Sequence, residues 1–382
     1  MEVVVERRKN AFTLIELLVV ISIIALLIGI LLPALGQAQR SAKNVISQAN
    51  QRSLNTGAAN YSADNKDAIF SYTWRARETY VLPSGQIRNP TDDQSAAADQ
   101  NQEILMRVTG RIKGRTKIQN YSARLPHRRY SHLVLLDFLT DVQPEPTAAS
   151  PFDRNLINWQ QDPLEYLEDG NSLPYGNQGE DYSDYDDDPN WTSTPVKQRW
   201  PFAMTYQMVP AAWSGDGIAE SPTYAPVAGT PHLFTAVNET DTRKVRLGRR
   251  KFTQVAHPSS KVMMFEEFDR FSDKDGLYFA YPEAKPNLAF FDGSVRQEST
   301  ADSNPGWNPA NPQENVWAQI YKPLHTFPDP KNGIGDGTQY CQRFRWTRYG
   351  LQGIDFGGKD VGRSTYNLPQ SDDPSILCTI EN

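Results

Sequence analysis

Residues 11–35 form a largely apolar run that contains a single charged side chain. A short basic stretch at residues 7–9 precedes an apolar run, and residues 17–35 contain no charged side chain. At about 1.5 Å of rise per residue, a helix over residues 12–35 is long enough to cross the hydrocarbon core of a bilayer. Glu16 stands inside this pattern. Because a carboxylate in a membrane-inserted helix costs at least about 2.5 kcal/mol, this acid calls for a specific explanation.

A helical periodicity continues beyond the apolar run. Small and apolar residues recur at steps of three and four, first as Ala38, Ala42, Val45 and Ala49 and then, after a shift, as Leu54, Ala58 and Tyr61. This spacing places them on one face of a helix, so we expect that face to pack against a globular body. Asp64 and Asn65 are typical of a helix end. The pattern therefore predicts one helix of roughly fifty residues, with a transmembrane half at 12–35 and a second half at 36–64. Because the basic residues 7–9 are retained on the cytoplasmic side, this second half is expected to be extracytoplasmic.

Strand signals are concentrated late in the chain. Residues 260–268, 276–281 and 287–291 are rich in aromatic and apolar side chains. Asp292-Gly293 follows the last of these runs, and Asp-Gly in this setting is typical of a two-residue type I′ hairpin, which needs positive φ at both positions. These segments predict an antiparallel sheet around residues 260–297.

Between the helix and the sheet the pattern is weak. Residues 86–103 are polar and rich in Ala, Gln and Asp, which predicts an exposed excursion, and the chain contains 27 Pro and 24 Gly. We therefore predict an α+β fold in which the long helix packs on a late antiparallel sheet. The body, residues 65–382, is expected to carry large loop-rich insertions.

Composition agrees with an anchored but otherwise water-soluble protein. The mean hydropathy of the 382 residues is -0.60, although the chain opens with an apolar run, so the remaining body is polar. Sequence motifs of hydrolases and metalloproteases are absent, and the five histidines are scattered. Residues 353–359 have the spacing of a phosphate-binding loop, but Asp360 stands where Ser or Thr is needed. We therefore expect no enzymatic activity and no cofactor.

Charge is unevenly distributed although the net charge is only -6. Residues 161–190 are acidic without a base, whereas residues 107–129 and 243–251 are basic. We expect these segments to pair within the body or between subunits, and nucleic acid is not an expected partner. A short acidic turn with Asp273 and Asp275 is a candidate Ca²⁺ site, with a plain polar turn as the alternative.

Only two cysteines occur, Cys341 and Cys378. Two cysteines are too few for a disulfide framework, and their surroundings do not resemble a zinc site. One disulfide between them is plausible in an extracytoplasmic body, and two free thiols are the alternative.

The N-terminal pattern resembles the signature of type IV prepilins and type II secretion pseudopilins. The resemblance rests on the basic leader, the stretch AFTLIE at residues 11–16 and the long apolar run. It implies that residues 1–11 form a leader peptide, that a prepilin peptidase cuts between Ala11 and Phe12, and that the new amine of Phe12 is methylated. Pro33 matches the position at which many pilins carry a helix-kinking proline.

The same resemblance implies a role for Glu16. Its carboxylate would pair with the amine of Phe12 from a neighbouring subunit and set the register of an assembly. The implied protein is a non-enzymatic, pilin-like subunit or accessory component of a type II secretion or type IV pilus-like apparatus. It would be a single-pass protein of the cytoplasmic membrane, with a cytoplasmic N-terminus and an extracytoplasmic body. The alternatives are a ligand-binding protein for polysaccharides or a surface hydrolase that uses the same export signal.

A second resemblance lies near the predicted hairpin. The segment at residues 281–295 is similar to the C-terminal H-X9-DG motif of many prepilin-type proteins, and Asn287, Asp292 and Gly293 fall on matching positions. The histidine of that motif would fall at Pro282, so the match is degenerate.

Overall fold

The computed structural model describes residues 14–110, 130–161, 163, 200–213, 224–226, 234–236, 247–272, 276–306, 316–319, 338–347 and 349–359. The chain forms two compact units, Met1–Val45 and Ile46–Asn382. Among the described residues, the α-helices are α1 (Leu14–Asp64), α2 (Asp93–Thr109) and α3 (Arg154–Gln161). The predicted α+β class is confirmed.

Most strands are short, and all of their pairings in the described residues are antiparallel. In chain order they are β1 (Tyr80–Val81), β2 (Ile87–Arg88), β3 (Tyr206–Met208), β4 (Tyr224–Pro226), β5 (Phe234–Ala236), β6 (Val262–Glu266), β7 (Phe268–Asp269), β8 (Leu277–Tyr278), β9 (Asn287–Phe290), β10 (Val295–Gln297), β11 (Val316–Gln319) and β12 (Thr338–Cys341). Single-turn and longer 3-10 helices connect them at Ser131–Phe138, Pro146–Ala148, Trp200–Phe202, Pro210–Ala212, Phe252–Gln254, Thr300–Asp302, Arg343–Arg345 and Gly350–Gln352.

Helix α1 is continuous over 51 residues and ends at Asp64, as the sequence predicts. Pro33 lies inside it. Because proline has no backbone N–H, it removes the hydrogen bond to the carbonyl of Gly29, and a kink at this position stays a prediction. The helix ends where the backbone N–H and the side-chain amide of Asn65 both donate to the carbonyl of Tyr61, at 2.9 and 2.8 Å.

The prediction of which face of α1 packs on the body is correct for its second part only. Leu54, Ala58 and Tyr61 are buried, but the preceding positions Ala38, Ala42, Val45 and Ala49 are exposed. The buried side chains before Leu54 in the body are instead polar, namely Ser47 and Gln51. Apolar periodicity therefore located the second part of this face and missed the first, because the first part is built from hydrogen-bonding residues.

A four-stranded sheet lies at the centre of the body, in the order β10-β9-β6-β3. Three of its strands lie in the segment where the sequence predicts a sheet, and the fourth, β3, comes from more than fifty residues earlier. Strand β3 escapes sequence analysis because it has only three residues. The buried apolar side chains of the sheet pack with Leu54 and Ala58 of α1 in one cluster.

The hairpin between β9 and β10 differs from the predicted turn. The register pairs Val295 with Ala289, so three residues, Phe291, Asp292 and Gly293, form the loop. The backbone N–H of Gly293 donates to the carbonyl of Phe290 at 3.0 Å, and only Gly293 has a positive φ, of 86°. This is a type I turn closed by a left-handed glycine, so the prediction of a two-residue type I′ turn was wrong. The physical reason is that Ser294 pairs with Phe290 and not with Phe291. The backbone N–H of Phe291 donates to the carbonyl of Lys261 at 3.1 Å, so Phe291 becomes the third loop residue.

The prediction of an exposed excursion at residues 86–103 was also wrong, because α2 occupies most of it. Asp92 caps this helix by accepting from the backbone N–H of Ser95 at 2.7 Å, and Gly110 ends it with a φ of 67°. Its alanines pack against the rest of a second apolar cluster, which includes Tyr130, Leu156 and Trp159. The alanines of α2 form a buried helix face, although polar Gln and Asn residues surround them in the sequence. Composition alone therefore does not reveal this face.

Candidate functional site

The N-terminal half of α1 presents apolar side chains that the fold leaves uncovered. An 18-residue window of this helix has a mean hydropathy of 3.1, which is long and apolar enough to cross a membrane. Leu14, Leu26 and Ile30 are exposed to 85%, 65% and 65% of their surface. Exposing such an apolar surface to water is unfavourable, whereas contact with the hydrocarbon core of a bilayer is favourable. The exposed apolar residues therefore fit a membrane-anchoring segment.

Polar groups within this segment are few and placed near its beginning. Glu16 lies in the first turn of α1, where backbone N–H groups lack helical partners and a negative charge interacts favourably with the helix dipole. The hydroxyl of Ser22 donates to the carbonyl of Val19 at 2.7 Å, so it is satisfied within the helix. The predicted cleavage residues Ala11 and Phe12 lie outside the described residues, and their processing stays a prediction.

The following part of α1 lies on the sheet through a polar contact that we call the helix–sheet seam: Ser47, Gln48, Gln51, Tyr206, Glu266 and Asn287. The hydroxyl of Ser47 donates to Oε1 of Glu266 and lies 3.0 Å from the hydroxyl of Tyr206. Tyr206 and Glu266 are direct cross-strand partners on β3 and β6. The side-chain amide of Asn287 donates to Oε2 of Glu266 at 3.4 Å. The carboxyl group of Glu266 on β6 thus joins the helix to β9, and the Ser47 hydroxyl joins the helix to Tyr206 on β3.

Asn287 extends the seam along the helix. Its Oδ1 accepts from the side-chain amide of Gln48 at 3.1 Å, and its backbone carbonyl accepts from that of Gln51 at 3.3 Å. A residue of the predicted C-terminal motif therefore fixes the N-terminal helix on the sheet. The other motif residues shape the hairpin: Oδ1 of Asp292 accepts from the backbone N–H and the hydroxyl of Ser294 at 2.9 and 2.7 Å.

The seam carries an acid in an unusual electrostatic setting. The pKa of Glu266 is raised to about 7, mainly by burial and in smaller part by nearby Asp269, although hydrogen bonds from Ser47 and Ser150 and the charge of Arg270 act in the opposite direction. Burial and the proximity of Glu266 also raise the pKa of the Tyr206 phenol. Below neutral pH the seam is therefore a network of neutral hydrogen-bonding groups.

Sequence analysis missed Ser47, Tyr206 and Glu266. A signal for the helix residues was available, because Ser47, Gln51 and Asn55 recur every four positions. Polar residues at this spacing usually indicate a solvated face, so the pattern alone favours the wrong interpretation. For Glu266 no local signal exists, since its burial depends on the approach of α1.

The candidate metal site is not among the described residues. Asp273 and Asp275 lie outside them, so the Ca²⁺ hypothesis stays a prediction, as does the absence of a cofactor. The described ranges contain no group of three or more His, Cys, Asp and Glu residues suited to a metal ion. Next to this segment, Asp269 organises the chain, because its Oδ1 accepts from the backbone N–H groups of Phe271 and Ser272 at 3.1 and 2.8 Å.

The remaining predicted features are only partly within the described residues. Cys341 is disulfide-bonded, and its predicted partner Cys378 lies outside them, so that pairing stays a prediction. At the start of the first basic segment, Arg107 lies 3.6 Å from Glu103 and 3.9 Å from Asp137. The acidic segment is almost entirely outside the described ranges.

Comparison with known families agrees with the N-terminal geometry. Residues 7–32 match the model of the prokaryotic N-terminal methylation motif, a stretch that contains the basic residues, the predicted cleavage position, Glu16 and most of the apolar run. The curated proteins and the solved structures contain no match to the chain. The matched motif implies membrane association and processing by a prepilin peptidase. The chain therefore carries a prepilin-type N-terminal cleavage and methylation motif, placed on a long apolar helix.

Proposed function

We propose that this protein is a non-enzymatic, pilin-like subunit or accessory component of a type II secretion or type IV pilus-like apparatus. The observation that carries the proposal is the methylation motif at residues 7–32 on an exposed apolar helix with one acid. A simple membrane anchor has no need of Glu16, because the carboxylate opposes insertion. A subunit that pairs this acid with the new amine of a neighbour does need it, since two opposite charges buried together are far less costly than either alone.

The topology of the proposal follows from charge. The basic residues 7–9 precede the apolar run, and positive charge is retained on the cytoplasmic side. The N-terminus is then cytoplasmic, the chain crosses the membrane once, and the body is extracytoplasmic. Its partners are the prepilin peptidase and other pilin-like subunits that contact the N-terminal helix. The large body beyond residue 64 favours a minor, tip or accessory subunit over the repeating one.

Mass spectrometry of the native N-terminus tests the processing step. The expected species begins at Phe12 and carries a methyl group on its amine. A species that begins at Met1, or one cut near Gln37 after the apolar run, contradicts the proposal. As a control, Ala11→Gly keeps a small residue before the cut, and it should be processed at the same bond.

A second experiment tests assembly separately from anchoring. Glu16→Leu should remain in the membrane fraction but lose crosslinking to other pilin-like subunits, because the apolar helix is retained and the partner of the Phe12 amine is removed. Ser22→Leu, six residues further along the same helix, is the matched control and should leave both readouts unchanged. If Glu16→Leu assembles normally, the acid has no register role, and an anchored ligand-binding protein becomes the better interpretation.

A further inference from the structure

A second group of buried charged side chains lies close to the predicted hairpin motif, because the carbonyl of Lys261 accepts from the backbone N–H of Phe291, the residue before Asp292, at 3.1 Å. Lys261, immediately before β6, has a side chain with 0% exposure, and Asp355 beside it is 1% exposed. The distance from Lys261 Nζ to Asp355 Oδ2 is 2.8 Å. A buried ion pair contributes little net stability because both charges lose their hydration. A contribution to stability therefore does not explain why these two charged residues are buried together.

The hydroxyl of Thr347 connects the two groups. It accepts from Lys261 Nζ at 2.5 Å and donates to Asp355 Oδ1 at 2.5 Å. The other carboxyl oxygen, Oδ2, accepts from the backbone N–H of Val262 at 2.8 Å. An ammonium group has three N–H donors, and the described residues supply two acceptors for it. The Thr347 hydroxyl thus bridges the amine and the carboxyl group, so a proton can pass between them through it.

We propose that Lys261 and Asp355 form a self-modification site, at which the lysine nitrogen and the aspartate carboxyl condense into an intramolecular amide and release water. First, a proton passes from the ammonium through the Thr347 hydroxyl to Oδ1. The neutral amine then attacks Cγ of Asp355, a C–N bond forms, and the Val262 N–H holds the developing charge on Oδ2. Finally, the nitrogen gives a second proton to Oδ1, and the Cγ–Oδ1 bond breaks to release one water.

The surroundings favour this reaction. Burial raises the pKa of Asp355, although the nearby Lys261 and its hydrogen bond act in the opposite direction. A raised pKa favours the neutral carboxyl, which is the form that an amine attacks. The product is a neutral amide that replaces two buried charges, and its N–H and carbonyl keep Thr347 and Val262 as partners. The link would join residues 94 positions apart and restrict the unfolded chain as a disulfide does.

Peptide mass spectrometry of the full-length protein, purified from membranes and reduced before digestion, tests this proposal. The expected result is one linked species that contains Lys261 and Asp355, with a mass lower than the sum of the two peptides by about 18 Da, the mass of the released water. Measuring peptide masses, and not the mass of the whole chain, distinguishes this mass loss from the mass changes caused by N-terminal processing and by the disulfide. Unlinked peptides at their full masses in the folded wild-type protein overturn the proposal and leave a plain ion pair.

Variants identify the reacting groups. Lys261→Arg keeps the charge pair but has no nucleophilic amine, so it should show only unlinked peptides. Asp355→Asn should still link, with a loss of about 17 Da because ammonia leaves instead of water. Thr347→Val should link roughly 10²-fold more slowly, the scale expected for a positioned proton-transfer group, while Thr347→Ser should link normally. Linked peptides in Lys261→Arg would contradict the assignment of the nucleophile. The outcome does not depend on the proposed role in a pilus or secretion apparatus.

Discussion

The two halves of α1 differ from the usual pattern of soluble proteins, in which apolar side chains are buried and polar ones are exposed. Before Pro33 the helix exposes leucines and isoleucines, whereas after residue 46 it buries serine, glutamine and asparagine side chains. The first half obeys the requirements of a lipid environment, in which apolar side chains face outward. The second half combines the apolar packing of Leu54, Ala58 and Tyr61 with specific hydrogen bonds, which fix a register that apolar packing alone would leave less defined. One helix thus combines an apolar segment that fits a membrane anchor with a segment that is held on the sheet by directional hydrogen bonds.

Charging the first half gives the largest expected effect. Ile23→Arg combined with Leu27→Arg should abolish retention in the membrane fraction, because each arginine near the helix centre costs about 2.5–3.5 kcal/mol of insertion free energy. Val45→Arg with Ile46→Arg is the matched control on the same helix, since both positions are exposed beyond the apolar run. Fractionation after alkaline extraction measures the difference. Equal retention of the two double variants would contradict membrane anchoring by this segment.

Removing an apolar contact from the second half should destabilise the body. Leu54 is fully buried against the sheet core, so Leu54→Ala should lower the free energy of unfolding by about 2–5 kcal/mol. Val45→Ala, at a position with 64% exposure, should change it by less than about 0.5 kcal/mol. Denaturant titration in detergent gives both values. Similar values for the two variants would mean that α1 is not packed on the sheet.

The helix–sheet seam should make stability depend on pH. The folded-state pKa of Glu266 is raised to about 7 from an ordinary value of 4.5, so between these values the folded protein holds a proton that the unfolded chain releases. The contribution of Glu266 is therefore fully present below pH 4.5 and is lost as the pH rises to about 7. We expect a decrease of a few kcal/mol at most across this range.

Glu266→Gln isolates this effect, because an amide accepts and donates in place of the protonated acid but does not titrate. The melting temperature of the variant should vary less between pH 4.5 and pH 7.5 than that of the wild type. Glu298→Gln is the control, since Glu298 forms a partly exposed pair with Arg296 at 2.6 Å outside the seam. An unchanged pH profile in Glu266→Gln would exclude Glu266 as the source.

The smallest expected effect compares two serines on the same helix. Ser47→Ala removes the donor to Glu266 and should cost about 1–3 kcal/mol, because buried acceptors lose their partner. Ser53→Ala should be close to neutral, since Ser53 is exposed and donates only to the carbonyl of Ala49 at 3.1 Å. Thermal unfolding of the two variants measures the difference. Equal costs would mean that the seam contributes no more than an exposed hydroxyl.

Sequence patterns predicted the features that depend on local chemistry. The length of α1 and its end at Asp64 followed from composition and periodicity. Strands β6 and β9 followed from aromatic and apolar runs, and β10 followed from the Asp-Gly turn signal after β9. The motif at residues 7–32 was recognisable because basic, small, acidic and apolar residues occur there in a fixed order. Each of these signals lies within about twenty-five adjacent residues, so no long-range contact is needed to read it.

Tertiary structure decided the rest. The burial of Ser47 depends on Glu266, which lies 219 positions away, and the pairing of Lys261 with Asp355 spans 94 positions. The same holds for α2, whose alanines are buried only because a second apolar cluster receives them. A polar residue looks the same in a sequence whether water or another side chain satisfies it. The sequence by itself therefore determined the methylation motif and an apolar helix that fits a membrane anchor, whereas only the fold determined how the part of α1 after residue 46 packs on the sheet.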